Sequence, residues 1–402
     1  MESGLAKNGI DEMLKSEKRT TNQKIIGIVA FLFFAISSIS KILNLVGIPR
    51  EASYVLYLAF FLMFFLVHLS HITLKDVLYY LIVLSIASYG LVRYGSYINS
   101  DANRLAIIII FIPAYFFFRF CDEQSMVEGF LKASYINALY SLVYYFFAVR
   151  IQSHYSMDYA YTAAVPLCAF FYLFIKEKKL WQLFVSIALF MTIVLAGNRG
   201  AMVFPVLCGI YYLFTDDKIE KTRRNKILRY ILIALALAVI FGLFRNQIIS
   251  ILSGYSGVSR SIAKLLSGDF LTSVSRDHLY AVCKDYININ PWGYGPLASR
   301  TFIRGGKWIY PHSLLYELQL DYGKYIGFIL FAIFIYMAIS NLIQYRKSSL
   351  RVVVAVISIL GIGSLIISSS YYYEIYLPAT IALYFNNHKK LFTFRINRQP
   401  LY

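Results

Sequence analysis

Long apolar segments alternate with short polar connections along most of this 402-residue chain. About 20 apolar residues are enough for a helix to cross the roughly 30 Å of hydrocarbon in a bilayer. The run from Leu105 to Phe118 is almost continuously apolar, whereas strands of a membrane β-barrel alternate apolar and polar residues. The pattern predicts an all-α polytopic membrane protein with about 12 transmembrane helices. The predicted spans are residues 25–42, 53–71, 76–94, 104–120, 130–149, 159–175, 180–197, 200–214, 228–245, 325–343, 351–369 and 371–385.

The composition excludes a single water-soluble globule. Apolar residues make up 59% of the chain and charged residues only 15%, against about 45 to 50% and about 25% in an average soluble domain. The formal net charge of +18 is compatible with a nucleic-acid-binding protein. In a membrane protein, however, this charge must first be divided between the two sides of the bilayer.

The basic residues are concentrated in every second connection between the predicted spans. With the N-terminus inside, most of the 39 Lys and Arg residues fall in cytoplasmic segments, as the positive-inside rule requires. The short outer connections hold only Lys41, Arg50, Arg93, Arg104, Arg150 and Arg199. We therefore predict that both termini are cytoplasmic, and we expect no nucleic-acid partner.

One connection is much longer than the others. Residues 246–311, between the ninth and tenth spans, are predicted to form an extracytoplasmic loop. The charge bias governs short connections only, so it does not explain the basic residues of this loop. Because long loops in compact proteins are often functional, we expect this one to be functional. The predicted parts are a cytoplasmic tail (1–24), helices 1 to 9 (25–245), the outer loop (246–311), helices 10 to 12 (312–385) and a second cytoplasmic tail (386–402).

Two arginines on the predicted outer side are candidate phosphate ligands. The seventh and eighth spans are joined by only a few residues, which places Arg199 at the outer edge of the bilayer, where an unpaired charge is costly. Arg199 either reaches the headgroup phosphates or holds the phosphate of a lipid substrate in a bidentate fork. Arg276, in the outer loop, forms an ion pair with a nearby aspartate or binds a substrate.

His312 is the candidate base. It follows Pro311 just before an apolar run, a pattern that predicts a helix start. We expect His312 in the first helical turn, where the helix dipole disfavours the imidazolium form. A neutral imidazole can accept a proton from a hydroxyl, although a solvated or capping histidine is the alternative. Residues 371–374, three tyrosines and a glutamate, are expected to face outward, either as an interfacial aromatic belt or to stack on sugars.

No motif indicates a nucleotide or a metal. The chain lacks the GxxxxGK[ST] phosphate loop, and no GxGxxG turn joins a strand to a helix. The cysteines have no zinc-ligand spacing. Since an enzyme acting on the outer side would have no ATP, we expect a pre-activated donor with a good leaving group attached to a lipid, and no cofactor.

Four features follow one another in a defined order. They are the Asn-Arg-Gly step at 198–200, the long outer loop, the Pro-Trp-Gly-Tyr-Gly turn at 291–295 after Arg276, and the His-Ser-Leu-Leu sequence at 312–315. With twelve predicted spans, they resemble the superfamily of O-antigen ligases and O-antigen polymerases (Wzy-type). That family usually has Ser-Arg-Gly at the first motif and favours His-Asn-x-x-Leu at the last. The topology match covers the whole chain, and the motif match covers mainly residues 196–317.

The resemblance implies a GT-C-like fold and a metal-independent, inverting glycosyltransferase with its active site on the outer face of the bacterial cytoplasmic (inner) membrane. Its donor would be a glycan on undecaprenyl diphosphate. Arg199 and Arg276 would neutralise the departing diphosphate, and His312 would be the general base on the acceptor hydroxyl. The predicted substrate-binding residues are Arg300, Arg304, Tyr280, Tyr373 and Glu374.

Polymerases and ligases of this superfamily differ in the acceptor. A polymerase transfers the growing glycan to the sugar of another lipid-linked repeat unit, whereas a ligase transfers it to lipid A core. The departures at Asn198 and Ser313, the modest length and the 35 tyrosines favour a polymerase of O-antigen, capsule or exopolysaccharide. Its expected partners are the undecaprenyl-diphosphate-linked oligosaccharide, membrane lipids, a chain-length regulator and a flippase.

A transporter is the alternative of a different class, since twelve spans also suit a lipid-linked oligosaccharide flippase. Such carriers usually consist of two similar halves with charges near the membrane midplane. This chain shows no internal repeat, and its candidate charges lie at the predicted outer rim.

Overall fold

The computed structural model describes residues 21–45, 47–94, 101–149, 157–196, 198–215, 274–300 and 311–387. Every regular element in these ranges is helical, and no strand occurs among them. The helices are α1 (Thr21–Leu45), α2 (Arg50–His68), α3 (Leu74–Tyr94), α4 (Asp101–Phe120), α5 (Glu123–Tyr144), α6 (Met157–Glu177), α7 (Leu180–Leu195), α8 (Arg199–Thr215), α9 (Val274–Ile289), α10 (Leu314–Tyr322), α11 (Lys324–Gln344), α12 (Arg351–Ala355), α13 (Ile362–Ile367) and α14 (Tyr376–Asn387).

Two π-helical turns and three 3-10 turns complete the described elements. Tyr145–Val149 prolongs α5, and Val356–Gly361 joins α12 to α13 so that the two form one long helical segment. The 3-10 turns are Leu69–His71, Ala298–Arg300 and Tyr371–Tyr373. The second and third of these turns contribute to the candidate site.

The predicted spans coincide with described helices, apart from the ninth (228–245), which lies outside the described residues. Four helical segments are long and apolar enough to cross a membrane: Gln23–Asn44, Leu74–Tyr94, Asp158–Glu177 and Lys324–Gln344. Shorter apolar helices accompany them within the described ranges. The all-helical class and the presence of helices able to span a membrane are therefore confirmed, whereas the number of twelve crossings, the GT-C-like fold and the full outer loop stay predictions.

One end of the helical bundle is organised around Asp76, near the start of α3. Its carboxylate accepts hydrogen bonds from Thr73 N (2.9 Å) and Oγ1 (2.6 Å), Tyr115 Oη (2.7 Å) and Arg119 Nε (3.0 Å). Arg119 Nη1 also donates to Asn386 Oδ1 of α14 at 2.5 Å. These bonds tie α3, α4 and α14 together at what we call the Asp76 end.

The opposite end is organised around His312. Helix α3 runs roughly 30 Å from Asp76, and at its far end Tyr94 Oη donates to Tyr294 O at 2.5 Å. There His312 Nδ1 lies 2.7 Å from Ser368 O, between α10 and α13. This His312 end gathers residues from connections predicted to face outward, and the Asp76 end gathers residues from connections predicted to be cytoplasmic.

The core between the two ends is packed through aromatic rings and close helix contacts. Phe33 of α1 stacks on Phe117 of α4 with ring centroids 4.1 Å apart. A Cβ atom on Gly129 of α5 would lie only 2.5 Å from Ala30 Cβ of α1. Such close approach at small residues is typical of helix packing in membranes.

Two helix starts differ from the sequence prediction. Helix α10 begins at Leu314 with Ser313 as its N-cap, so His312 precedes the helix and does not lie in its first turn. Helix α14 begins at Tyr376, and the first residues of the predicted twelfth span form the 3-10 turn Tyr371–Tyr373 instead. In both places a short non-helical segment supplies backbone and side-chain groups to the site.

Candidate functional site at the His312 end

His312 lies in a conformation that its neighbours constrain. Its φ is +55°, an uncommon value for a residue other than glycine, and only 8% of the residue is exposed. Its Nδ1 is 2.7 Å from the carbonyl oxygen of Ser368. Because a carbonyl can only accept, Nδ1 carries the proton. In the neutral ring Nε2 then holds the lone pair that can accept a proton.

The surroundings of His312 favour its neutral form. Burial lowers the pKa of His312, the hydrogen bond to Ser368 O raises it in part, and the positive charges of Arg276 and Arg300 lower it further. From the sequence, a neutral His312 ring was attributed to the dipole of α10. That cause is wrong, because His312 precedes α10. Desolvation of the ring and the positive charges of two nearby arginines lower its pKa instead.

Arg300 belongs to the same site. The 3-10 turn Ala298–Arg300 carries its side chain into the protein, where only 5% of it is exposed. Arg300 Nη2 lies 3.9 Å from Glu317 Oε1, and Arg300 Cζ lies 5.8 Å from the ring centroid of Tyr372. The buried Arg300 guanidinium therefore lies near both a carboxylate and an aromatic ring, each of which attracts its charge.

Two buried carboxylates on α10 hold this arrangement together. Glu317 Oε1 accepts from Ser370 Oγ at 2.5 Å, and its Oε2 accepts from Tyr371 N at 3.2 Å. Asp321 Oδ1 accepts from Ser299 N at 2.8 Å. The hydroxyls of Tyr371 (2.8 Å) and Tyr372 are both within hydrogen-bond distance of Asp321 Oδ2. Helix α10 thus connects the turn that carries Arg300 to the segment that follows α13.

Both carboxylates titrate near neutrality. Burial raises the pKa of Glu317 to about 7, against the opposing effect of the Arg300 charge, and burial raises the pKa of Asp321 to about 6. Because its pKa is raised, Glu317 carries less negative charge near pH 7 than an exposed glutamate does. The nearby positive charges of Arg276 and Arg300 would suit an anionic ligand.

Arg276 and Tyr280 lie on α9, the helix of the predicted outer loop. Arg276 is partly exposed and close enough to His312 for its charge to lower the pKa of that ring. Tyr280 packs on Tyr316 of α10, with ring centroids 4.9 Å apart. Leu279, Cys283 and Ile287 of α9 form a small apolar cluster with Leu320 of α10, separate from the main hydrophobic core.

Arg199 begins α8, and its side chain lies outside the described residues. Asn198 Oδ1 accepts from Ala201 N at 3.2 Å, which caps the first turn of α8. A Cβ atom on Gly200 would lie 2.6 Å from Ile367 Cδ1, and Ile367 directly precedes the residue whose carbonyl contacts His312. The backbone of Arg199 is therefore next to the segment that positions the ring.

The segment 370–374 is more buried than predicted. Tyr371 and Tyr372 are 4% and 1% exposed, and both hydroxyls lie within hydrogen-bond distance of Asp321. The expectation that these two rings form an exposed belt or stack on sugars is therefore wrong. The side chain of Tyr373 lies outside the described residues. Glu374 is partly buried; burial and the charge of Asp158 raise its pKa to about 7, and a hydrogen bond from Ser369 opposes that shift.

The structure thus brings His312, Arg276 and Arg300 together, with Tyr280 one helical turn from Arg276. Glu374 is a few residues from Ser368 along the chain. Arg304 lies outside the described residues. Among the parts of the chain that the structure describes, no three His, Cys, Asp or Glu side chains form a group that could hold a metal ion.

No protein-family model matches the chain, and no curated protein matches it. Membership of the O-antigen polymerase and ligase superfamily therefore stays a prediction that rests on the motifs.

Two participants in the site were not predicted from the sequence. Asp321 lies four residues after Glu317, so the two acids share one face of a short and otherwise mainly apolar helix. That spacing is a signal that the sequence contains. Ser368 contributes its backbone carbonyl, for which the sequence offers no signal.

Proposed function

We propose that the protein is a polysaccharide repeat-unit polymerase of the bacterial cytoplasmic membrane. It transfers a growing glycan from undecaprenyl diphosphate to the non-reducing-end sugar of another lipid-linked repeat unit, on the outer face of that membrane. The observation that carries the proposal is the convergence of His312, Arg276 and Arg300 at one end of the bundle. These three residues come from separate segments of the chain. Two of them, Arg276 and His312, were predicted from the sequence to take part in this reaction.

His312 acts as the general base. The oxygen of the acceptor hydroxyl attacks the anomeric carbon of the donor, and the hydroxyl proton passes to Nε2. The bond between that carbon and the diphosphate oxygen breaks, with its electron pair leaving on the diphosphate. Attack opposite the leaving group inverts the anomeric centre. His312 then returns its proton to water. A positioned base of this kind contributes about 10²- to 10⁴-fold in rate.

The arginines stabilise the charge that develops on the leaving group. Arg276 and Arg300 supply two positive charges near His312, and we assign a third to Arg199, whose backbone begins α8. Because the Arg300 side chain is buried, little water would screen its attraction for an arriving diphosphate. Charges placed where negative charge develops are a large term in catalysis.

The test is deletion of the gene in the native host, followed by gel separation of surface and lipid-linked glycans. A polymerase predicts loss of the long-chain ladder, with single repeat units still displayed or accumulated on lipid. A ladder retained on the carrier lipid but missing from its final anchor would show a ligase. Repeat units trapped on the cytoplasmic side would contradict both enzymes and identify a flippase.

Complementation with variants tests the site. Arg199→Ala and His312→Ala should each abolish chain growth at normal protein level, and Arg199→Lys should fail as well if two-point contact with phosphate matters. The matched controls are His278→Ala, an exposed histidine on α9, and Arg346→Ala, an exposed arginine at the Asp76 end. Both controls should restore the ladder.

A further inference from the structure

A cavity of about 500 Å³ lies at the His312 end, between the last turn of α3 and the turn that follows α9. Its size falls in the range of about 300 to 1,000 Å³ that is typical of small-molecule sites. Aromatic rings and a few polar side chains form its wall. The lining residues that bear on the argument are Tyr89, Arg93, Asn290, Trp292, Tyr294 and Tyr322.

Two aromatic residues of the cavity wall are strongly exposed. Trp292 is 80% exposed and Tyr89 is 49% exposed. A sugar ring has an apolar C–H face that an aromatic ring can cover, and a rim of hydroxyls that planar polar side chains can bond. The cavity provides both kinds of group, because Arg93 and Asn290 lie on the same wall.

The wall that carries Trp292 is held rigidly. Lys324 N donates to Pro291 O at 2.8 Å, and Tyr294 N donates to Leu320 O at 2.9 Å. Asn290 Nδ2 donates to Gly293 O at 2.7 Å. A binding wall that is already ordered does not lose conformational entropy when the ligand arrives.

Asp321 connects the cavity to the proposed catalytic site. It lines the cavity and also accepts from Ser299 N, the residue before Arg300. The cavity turn runs from 290 to 296, and the same chain segment reaches Arg300 four residues later. The wall that would contact a ligand is therefore only a few residues away from Arg300 along the chain, and hydrogen bonds hold that stretch of backbone in place.

We infer that this cavity is a glycan-binding subsite that holds a sugar of the acceptor repeat unit. Trp292 and Tyr89 cover its apolar faces, and Arg93 donates hydrogen bonds to its oxygens. The assignment rests on the proposed function and deepens it, because it places the acceptor on the α3 side of His312. An interfacial tryptophan that anchors the protein in lipid would need neither the cavity nor the ordered turn.

The experiment measures binding directly in full-length protein in lipid nanodiscs. The probe is the lipid-free repeat-unit oligosaccharide, released from the surface polysaccharide of the native host and titrated by calorimetry. Trp292→Ala and Arg93→Gln should each weaken binding about tenfold, the change expected from losing one good stacking or hydrogen-bonding contact. Both side chains are exposed enough for their removal to leave the fold intact. The matched controls, Tyr325→Ala and Arg346→Gln, alter equally exposed side chains outside the cavity and should bind as the wild type does.

The outcomes separate this inference from the proposed function. Wild-type affinity in both cavity variants overturns the subsite, even where gene deletion shows a polymerase. Weakened binding in the cavity variants, with normal binding in the controls and in His312→Ala, supports the subsite even where the polymerase assay fails. A wild-type protein that does not bind the oligosaccharide at millimolar concentration also overturns it.

Discussion

Replacing Asp321 with alanine removes the acceptor shared by three buried donors. Asp321 is 2% exposed, and it accepts from Ser299 N and from the hydroxyls of Tyr371 and Tyr372. In Asp321→Ala these donors stay buried. Ser299 N and the Tyr372 hydroxyl lose their acceptor, whereas the Tyr371 hydroxyl keeps Tyr372 Oη as an acceptor at 2.5 Å. The variant tests whether α10 holds together the segments that carry Arg300 and Ser368.

The size of the effect follows from these contacts. Each buried donor that loses its partner costs about 1–3 kcal/mol, or about 2–6 kcal/mol for Ser299 N and the Tyr372 hydroxyl together. At pH 7 the cost of burying the ionised carboxylate in the wild type offsets part of this, since a pKa raised from 3.8 to about 6 corresponds to roughly 3 kcal/mol. The net expectation is a loss of about 1 kcal/mol in the free energy of unfolding at pH 7, and of about 2 kcal/mol at pH 5, where the offset is smaller.

The sign of the pH dependence gives a second readout. Because the folded-state pKa of Asp321 is raised, the wild type gains stability as pH falls from about 6 towards 4, and Asp321→Ala does not. The difference between the two proteins should therefore be larger at pH 5 than at pH 7. A Tyr372→Phe background, which lacks one of the donors that would lose its acceptor, should reduce the effect of Asp321→Ala.

Unfolding in mixed micelles, followed by tryptophan fluorescence, measures these free energies. Asp277→Ala, which removes an exposed aspartate of α9, is the matched control and should change stability by less than about 0.5 kcal/mol. If Asp321→Ala stayed within the same limit, the reasoning that this carboxylate organises the site would be refuted.

Three further predictions concern the same region. Burial raises the pKa of Glu317 to about 7, so the wild type should lose up to about 3 kcal/mol of stability as the pH rises from about 4.5 to 7. Glu317→Gln should flatten this profile of stability against pH. Parallel profiles for the two proteins would contradict the raised pKa of Glu317. Gly293→Ala should destabilise by about 1–3 kcal/mol, because Gly293 has a φ of +84° and the new Cβ would lie 2.3 Å from Gly323 N; Gly47→Ala, at φ +83° with nothing within 4 Å, is the control and should lose less. The acid limb of kcat/KM should lie below pH 6.5, since burial lowers the pKa of His312; a limb above that value would exclude His312 as the base.

Most helix positions could be predicted from the sequence, because long apolar runs have few alternatives to a helix. The boundaries near the site were harder. His312 lies outside α10 because its backbone adopts a φ of +55°, which no local pattern indicates. Likewise, the sequence of Tyr371 and Tyr372 is typical of an interfacial aromatic belt, because nothing near them along the chain indicates that Asp321, about 50 residues away, is their buried acceptor.

The charged residues of the candidate site could be predicted from the sequence more readily than the contacts that support them. His312 was predicted at the start of an apolar segment, and Arg276 was predicted as a cation in the outer loop. The contact of His312 with Ser368 O depends on how α13 ends beside α10, and the cavity at Trp292 depends on the docking of α3. Both are long-range packing outcomes that require the three-dimensional arrangement.

Transfer by purified His312→Ala protein in lipid nanodiscs tests the central claim most directly. The assay supplies lipid-linked repeat units and measures glycan extension in a single turnover, together with donor binding. The account predicts a loss of transfer of about 10²-fold or more, with donor binding unchanged because the arginines remain. Extension at the wild-type rate in His312→Ala would contradict the assignment of the base and the mechanism built on it.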